Sequence, residues 1–340
     1  MHNTVNKGIR SLKKLLSSLF GKDKSTRYIL PLKEAAQSNA YVETVSNRAD
    51  SLHRDTKNLY EEDLQSSFLK VLSKFSPKFR RGKIRLAIDK HEIGYYGKKQ
   101  GWYIVGTSYN NKSYQHAFEY ISISLLTGKK EERIHLYALP WHIGQDLVDS
   151  VATLLNVVKR WFNKIEIVQF DRGFHCNELM HWLEEHRIPY LIHIRKIGKF
   201  LKQLIESTKS FYRGEYQTKF NKHKTYFKVK TFIYVCKNIR KKDWTFTSSI
   251  KFTNKYQPFN LYKNRWQIET NYAINNQNRI MSKSTHYLIR YFYFLCDILL
   301  QIIWRLSSFV QWTFKQFLKS LVVGIQQVIA MKPTLLGLLT

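Results

Sequence analysis

Acidic residues and cysteines are scarce in this sequence. Its 340 residues include 25 Asp and Glu against 56 Lys and Arg, which gives a formal net charge of +31. The three cysteines are widely separated and form no CxxC pair. They therefore indicate neither a structural zinc site nor a disulfide framework, and they are typical of a reducing compartment.

A long uncharged hydrophobic run is also missing. The most apolar stretch, residues 287–304, carries Arg290 and Asp297 within it. A membrane-spanning helix needs about 20 residues with few or no charges, so this stretch predicts a buried helix, and we expect no membrane partner. The first 24 residues have a short, broken apolar stretch and no small-residue cleavage site, so they do not indicate a signal peptide.

Positive charge and aromatic side chains are what the sequence has in abundance. An excess of 31 positive charges opposes compaction unless an anion is near, and it favours binding to nucleic acid. The chain is 44% hydrophobic and 15% aromatic, which is enough to bury a sizeable core. These features are typical of a folded protein that binds nucleic acid.

The periodicity of the apolar residues divides the chain. Residues 1–78 show helical spacing and a basic character, which predicts a helical DNA-binding region. Residues 79–194 alternate between strand-like and helical patterns in the order βββ-α-β-α-β, which favours a mixed sheet covered by helices. Helical spacing returns in residues 256–306, and residues 307–340 are predicted to form a C-terminal helical region.

Residues 195–255 differ from the sequence on either side. Between positions 195 and 242 there are 15 Lys and Arg but only Glu206 and Glu215 as acids. The run TYFKVKTFIYV alternates as a strand does and places Lys228 and Lys230 on one face. The pattern predicts a basic, β-rich insertion in an α/β protein.

Three carboxylates have informative positions. Asp89 and Asp171 each follow an apolar run that predicts a buried strand, and Glu269 lies in a later helical segment. Carboxylates at the carboxyl ends of strands point into the crevice where α/β sheets carry out chemistry. Taken singly, the two aspartates are equally consistent with turn residues, and Glu269 with a surface ion pair to Arg265 at i−4.

The order and spacing of these residues resemble those of a known family. In LYKNRWQIETNY the spacing Tyr-x2-Arg-x3-Glu is formed by Tyr262, Arg265 and Glu269. The elements DRGF at 171–174 and IDKHEIGYYG at 88–97 surround the two aspartates. Over about residues 80–306, the chain resembles DDE transposases of prokaryotic insertion sequences, in the group marked by the signature Tyr-x2-Arg-x3-Glu-x6-Lys.

The resemblance implies a fold and an activity. It implies a ribonuclease H-like core with a β-rich insertion before the helix that carries Glu269. It further implies a transposase that cleaves DNA at terminal inverted repeats and transfers the resulting 3′-hydroxyl into target DNA. The partners implied are double-stranded DNA and a second copy of the chain, as a homodimer in the synaptic complex. The expected location is the prokaryotic cytoplasm, in association with the nucleoid.

A metal site follows from the chemistry of the three acids. Mg²⁺ prefers oxygen ligands and is usually held by a few carboxylates together with phosphates and water. Two such ions can stabilise both the attacking and the leaving oxygen of a displacement at phosphorus. We therefore expect Asp89, Asp171 and Glu269 to bind Mg²⁺ or Mn²⁺, as two ions, and to be the catalytic residues.

One position departs from the family signature. The final Lys of the signature falls at Asn276, which can donate a hydrogen bond but carries no charge. Lys283 or Arg279 could supply the missing cation. The predicted DNA contacts are Tyr262, Arg265, Asn276, Lys283, Lys228 and Lys230. A DDE-type nuclease without joining activity, and a decayed DNA-binding remnant without catalysis, remain the alternatives.

Overall fold

Helices form the first part of the chain. The computed structural model describes residues 2–75, 83–107, 113–126, 134–194, 198–222, 225–265, 279–306 and 313–321. Five helices precede the first strand: α1 (His2–Phe20), α2 (Lys22–Ser38), α3 (Val42–Val45), α4 (Ala49–Lys57) and α5 (Glu61–Leu72). A short 3-10 helix, Ser73–Phe75, follows α5.

The middle of the chain forms the first six strands. In chain order they are β1 (Ile84–Tyr95), β2 (Ile104–Gly106), β3 (His116–Leu126), β4 (Ile134–Trp141), β5 (Ile165–Phe170) and β6 (Tyr190–His193). Helix α6 (Leu147–Lys159) precedes β5, and α7 (Asn177–Glu185) lies between β5 and β6. The Asp146 side chain caps α6 by accepting hydrogen bonds from the backbone N–H groups of Val148 and Asp149.

Three further strands continue the same sheet. Helix α8 (Lys199–Ser207) precedes β7 (Phe211–Lys222), β8 (Thr225–Ile239) and β9 (Lys242–Ser248). The remaining helices are α9 at residues 256–265, α10 (Tyr287–Leu306) and α11 at residues 314–321. The sheet order is β2-β3-β1-β5-β6-β9-β8-β7, with β4 paired to β3. β1, β5 and β6 run parallel, whereas the pairings of β3 and of β9 are antiparallel.

The predicted fold class is confirmed: the sheet is mixed and flanked by helices. One detail of the predicted element order is wrong, because four strands and not three precede α6. The additional strand, β4, has the sequence IHLYALPW, which is apolar apart from His135. It lies on the outer side of β3, where the missing backbone N–H of Pro140 is tolerated. β3 pairs with both β1 and β2, which are therefore not neighbours.

The strand that carries Asp89 is longer than the sequence pattern predicts. β1 does not end at Asp89 but continues for six residues to Tyr95. The parallel partner β5 stops opposite Ile88, whereas antiparallel pairing with β3 continues as far as Tyr95 opposite His116. Asp89 is therefore an internal residue of β1 that lies where its neighbour β5 ends.

Two buried clusters hold the sheet to the helices. The larger cluster joins α1, α2, α5 and α10 to β1, β3 and β4. The smaller one joins β5, β6, β8 and β9 to α9 through residues that include Ile167, Phe246 and Tyr262. The insertion therefore shares a hydrophobic core with the strands next to the two aspartates, and this core fixes the position of α9.

Helix α10 is buried, as its sequence indicates. It is long and apolar enough to cross a membrane by length and composition, with a mean hydropathy of 1.4. However, 89% of its most apolar window is buried inside the fold. Its Asp297 carboxylate accepts hydrogen bonds from the backbone N–H of Ile280 at 3.1 and 3.3 Å, which anchors the segment that precedes the helix.

Candidate active site

Asp89 and Asp171 lie side by side on neighbouring parallel strands. β1 and β5 pair in register as far as Ile88 and Phe170, and each aspartate is the next residue in its strand direction. The Asp89 Oδ1 atom accepts a hydrogen bond from the backbone N–H of Lys90 at 2.9 Å. The two carboxylates are thus brought together by strand register, although 82 residues separate them in the sequence.

Arg265 links the two carboxylates. It lies at the end of the described part of α9, and its side chain is 5% exposed. Its Nη1 donates to Asp89 Oδ2 at 2.7 Å, and its Nη2 lies 3.6 Å from Asp171 Oδ1. A pair of partly buried carboxylates repels, and a guanidinium between them offsets that repulsion. Arg265 therefore reduces the repulsion between the two carboxylates and leaves one negative charge uncompensated by it.

Tyr262 and His193 complete the surroundings of Asp171. The Tyr262 hydroxyl donates to Asp171 Oδ1 at 2.8 Å, and the His193 Nδ1 lies 3.9 Å from the same oxygen. The ring of His193 packs against that of Tyr262, with 5.3 Å between the centroids. Burial raises the pKa of Asp171, but His193, Arg265 and Tyr262 together outweigh it and hold that pKa well below its usual value. Asp171 is therefore ionised at neutral pH.

The two carboxylates suit a hard divalent cation. Their oxygens are the ligand type that Mg²⁺ and Mn²⁺ prefer. Both carboxylates contact the guanidinium of Arg265, so a positive charge already stabilises the pair. Among the described residues, no group of three or more His, Cys, Asp or Glu could hold a metal ion. The predicted third acid, Glu269, lies outside the described residues.

The predicted DNA contacts fall into three environments. Tyr262 and Arg265 are buried, at 1% and 4% exposure, and both face the aspartates. Lys228 and Lys230 are exposed on β8, on the same face of the strand. Lys283 is exposed beyond the end of α9, and Asn276 lies outside the described residues. The structure therefore brings Tyr262 and Arg265 to the aspartates but not Lys228 or Lys230.

His193 is a site residue that the sequence reasoning missed. It is the last residue of β6, the strand next to β5, and it lies beyond the register pair of Phe170 and Ile192. Its position beside Asp171 thus follows from the same strand-end rule that identified Asp171. The run PYLIHIR contains that signal, because it predicts a buried strand with a single polar ring near its end.

Comparison with known proteins agrees with this geometry. The family model described as "Transposase DDE domain" matches residues 80–294, which is more than half of the chain. Comparison with curated proteins gives no match. Among solved structures, the chain is similar to the piggyBac transposase in a synaptic complex with hairpin DNA, with a TM-score of 0.59 and 12% identity. That match covers 91% of this chain and 73% of the other, and at this identity it shows the fold alone.

The family match includes both aspartates, Tyr262 and Arg265, as well as the whole insertion. DDE transposases generally use divalent metal ions, which agrees with the two carboxylates brought together where β5 ends. The solved neighbour confirms that this sheet, with its flanking helices, is a transposase fold of the ribonuclease H-like type. The chain belongs to the DDE transposase family and is a DNA-binding enzyme of transposition.

Proposed function

We propose that this protein is the transposase of a prokaryotic insertion sequence, in the group with the Tyr-x2-Arg-x3-Glu signature. It cleaves a strand at the terminal inverted repeats of the element and then uses the 3′-hydroxyl to attack target DNA. One observation carries the proposal: Arg265 and Tyr262, the signature residues within the described part of α9, both bond to the paired aspartates.

Asp89 and Asp171 are proposed to hold Mg²⁺ or Mn²⁺, as two ions, together with Glu269. Bound there, the metal would stabilise charge on the attacking and leaving oxygens of the displacement. The chain's own residues prepare the carboxylates. The hydroxyl of Tyr262 fixes Asp171, and the guanidinium of Arg265 reduces the repulsion between the two carboxylates. With metal ions bound at the carboxylates, Arg265 would be available to bind a phosphate of the DNA through its planar fork of donors.

DNA binding beyond the active site is assigned to the insertion. Lys228 and Lys230 lie on the exposed face of β8, where their charges are available to phosphates. Such contacts position DNA without reading its sequence, so recognition of the inverted repeats is assigned to the helical N-terminal region. Joining two ends requires that both be held at once, so we propose a homodimer in the synaptic complex, in the cytoplasm of a prokaryote.

The experiment is a joining assay with DNA ends that carry the flanking inverted repeats of the element. With Mg²⁺, the wild-type protein is expected to release a 3′-hydroxyl and to join it to a target plasmid, and Asp171→Asn to do neither. Cleavage without joining would instead identify a nuclease. Binding without metal-dependent cleavage would identify a decayed remnant, the alternative that Asn276 favours because it removes the charge of the signature lysine.

A further inference from the structure

A cavity of about 280 Å³ lies beyond the active site, at the far end of β1. Three parts of the chain form it: the end of β1 around Gly94, the segment 279–283, and the beginning of α10. Tyr41, from the loop between α2 and α3, also lines the cavity. The N-terminal helices, the sheet and the chain that follows α9 therefore meet at this point.

The cavity is strongly basic. Arg279, Lys283 and Arg290 line it, and Asp297 is the only acid in its lining among the described residues. Asp297 is 2% exposed and already accepts two hydrogen bonds from the backbone N–H of Ile280. Burial also raises its pKa well above the usual value, which weakens its negative charge. The three cations therefore outnumber the acids beside them, which are Asp297 in the lining and Glu43 behind Lys283.

Two of these cations are held in place. The guanidinium of Arg290 packs over the ring of Phe118, 4.8 Å from the centroid, and its Nε donates to the carbonyl oxygen of Ser284 at 2.6 Å. The Lys283 Nζ lies 5.6 Å from the centroid of the Tyr41 ring, and its backbone N–H donates to Glu43 Oε1 at 2.8 Å. These contacts fix the cations without consuming their charge, as in a preformed anion site.

Arg279 is the third cation of the cavity, and its positive charge opposes the rise in the pKa of buried Asp297. Its backbone N–H donates to the Asn39 Oδ1 at 3.1 Å, which fixes the main chain. Its guanidinium makes no hydrogen bond or ion pair with any residue in the described part of the chain. Since a partly buried guanidinium carries five donors, an unbonded one that lines a basic cavity is suited to an oxyanion.

We propose that this cavity binds a phosphate of the DNA backbone next to the cleavage site. Ile93, in the cavity wall, follows Asp89 by four residues in the same strand, and four residues span about 13 Å. That distance corresponds to about four base pairs, since each strand of DNA advances about 3.4 Å per phosphate. This inference rests on the proposed function, which supplies the DNA. It adds a phosphate-binding site whose lining includes Tyr41 of the N-terminal region.

Salt-dependent binding to a short labelled DNA duplex of arbitrary sequence, without metal, tests the cavity. Loss of one phosphate contact makes the plot of log affinity against log salt shallower by about 0.9. We expect this change for Arg279→Gln and for Lys283→Gln, and no change for Arg279→Lys, which keeps the charge. The matched control is Lys159→Gln, an exposed lysine in the last turn of α6 that does not line the cavity.

Three outcomes would overturn the proposal. The slope could be unchanged in both Gln variants while their circular dichroism and melting remain those of the wild type. Lys159→Gln could have an equal effect, which would mean that net charge alone matters. Inorganic phosphate could raise the melting temperature of the wild type but not of Arg279→Gln. If the salt dependence of DNA binding were at the same time equal in the two proteins, the cavity would bind a free anion and not DNA. This test measures binding and no cleavage, so it can be told apart from a failure of the proposed function. If only the proposed function failed, the Gln variants would still show the shallower salt dependence, and the joining assay would give no product.

Discussion

The two halves of the sheet handle charge in opposite ways. In the half formed by β1, β3, β5 and β6, most strand residues are buried. Asp89, in β1 where its neighbour β5 ends, forms an ion pair with Arg265. In the half formed by β7 and β8, exposed and less exposed residues alternate, and the exposed positions include lysines without acidic partners in the described ladder. The comparison shows that the buried half pairs its charges within the protein, whereas the exposed half leaves its charges to solvent.

The energetic reason lies in solvation. Lys219 and Lys228 are directly opposite each other on β7 and β8, an arrangement of like charges that costs up to about 1 kcal/mol. Water screens this cost, and bound phosphates would remove it. Around Asp89 and Asp171 burial strengthens every charge interaction, so the same repulsion must be balanced by a fixed partner such as Arg265.

The largest expected effect separates the two halves by function. Asp89→Asn should lower Mg²⁺-dependent DNA cleavage by about a thousandfold or more, because it removes a proposed metal ligand. DNA affinity should stay within about twofold of the wild type, since the loss of an acid does not weaken phosphate contacts. Cleavage rates and gel-shift titrations measure both quantities. A variant that still cleaves at the wild-type rate would remove Asp89 from the metal site.

Arg265 tests the charge balance of the buried half. Arg265→Ala should lower the free energy of unfolding by about 3 kcal/mol, because it leaves two partly buried carboxylates without their cation. Urea unfolding at neutral pH without metal measures it. The matched variant Tyr262→Phe keeps the ring and loses only the hydroxyl bond to Asp171, so its cost should be about 1 kcal/mol. Equal costs for the two variants would contradict this account.

Substitution of lysines in the exposed half should weaken DNA binding and leave the stability of the fold unchanged. Lys228→Ala combined with Lys230→Ala should make the salt dependence of DNA binding shallower by up to about 2 units, one for each lost phosphate contact. The melting temperature should not fall, since both side chains are solvated. The double variant Lys159→Ala with Lys164→Ala removes the same charge from an exposed region distant from β8. If that control lowers the slope as much, the face of β8 has no special role.

The last prediction concerns a buried cation in the N-terminal helices, outside both halves of the sheet. Lys33 of α2 is 1% exposed, its Nζ donates to the carbonyl oxygen of Leu321 at the end of α11, and burial lowers its pKa to about 7. The unfolded chain keeps this lysine protonated up to about pH 10 and so binds more protons between pH 7 and 10. Stability should therefore rise with pH in that window, by about 1 kcal/mol or more.

Melting curves at several pH values measure the contribution of Lys33. The comparison is with Lys33→Met, which fills similar space without a titratable group. The rise in melting temperature between pH 7 and 10 should be smaller in this variant than in the wild type. Parallel profiles for the two proteins would show that Lys33 does not titrate in this range.

Sequence reasoning identified features that depend on neighbouring residues. The apolar run before Asp171 predicted a buried strand, and β5 occupies that place and ends at Phe170. Alternation also predicted the strand of Lys228 and Lys230 and the exposure of both side chains on one face. Where the pattern was ambiguous the prediction failed, as for β4, whose largely apolar run does not specify a period.

Local sequence could not predict how far β1 extends past Asp89. That length depends on β3, which continues to pair with β1 after β5 has ended. It also could not place His193 beside Asp171, because the neighbour of β5 is decided by the order of strands in the sheet. Both features arise from contacts between residues that are distant in the sequence.

The sequence by itself determined most of the helical and strand segments, the basic character of the insertion and the identity of the acids, because each depends on composition and on short periodic patterns. Only the tertiary structure decided that the charge of Arg265 lies between Asp89 and Asp171, and that Arg279, Lys283 and Arg290 share one cavity. Arg265 and Asp89 are 176 residues apart. The choice of partner for a buried charge depends on strand register and helix docking, and the free energy of these arrangements is set by the packing of the whole core.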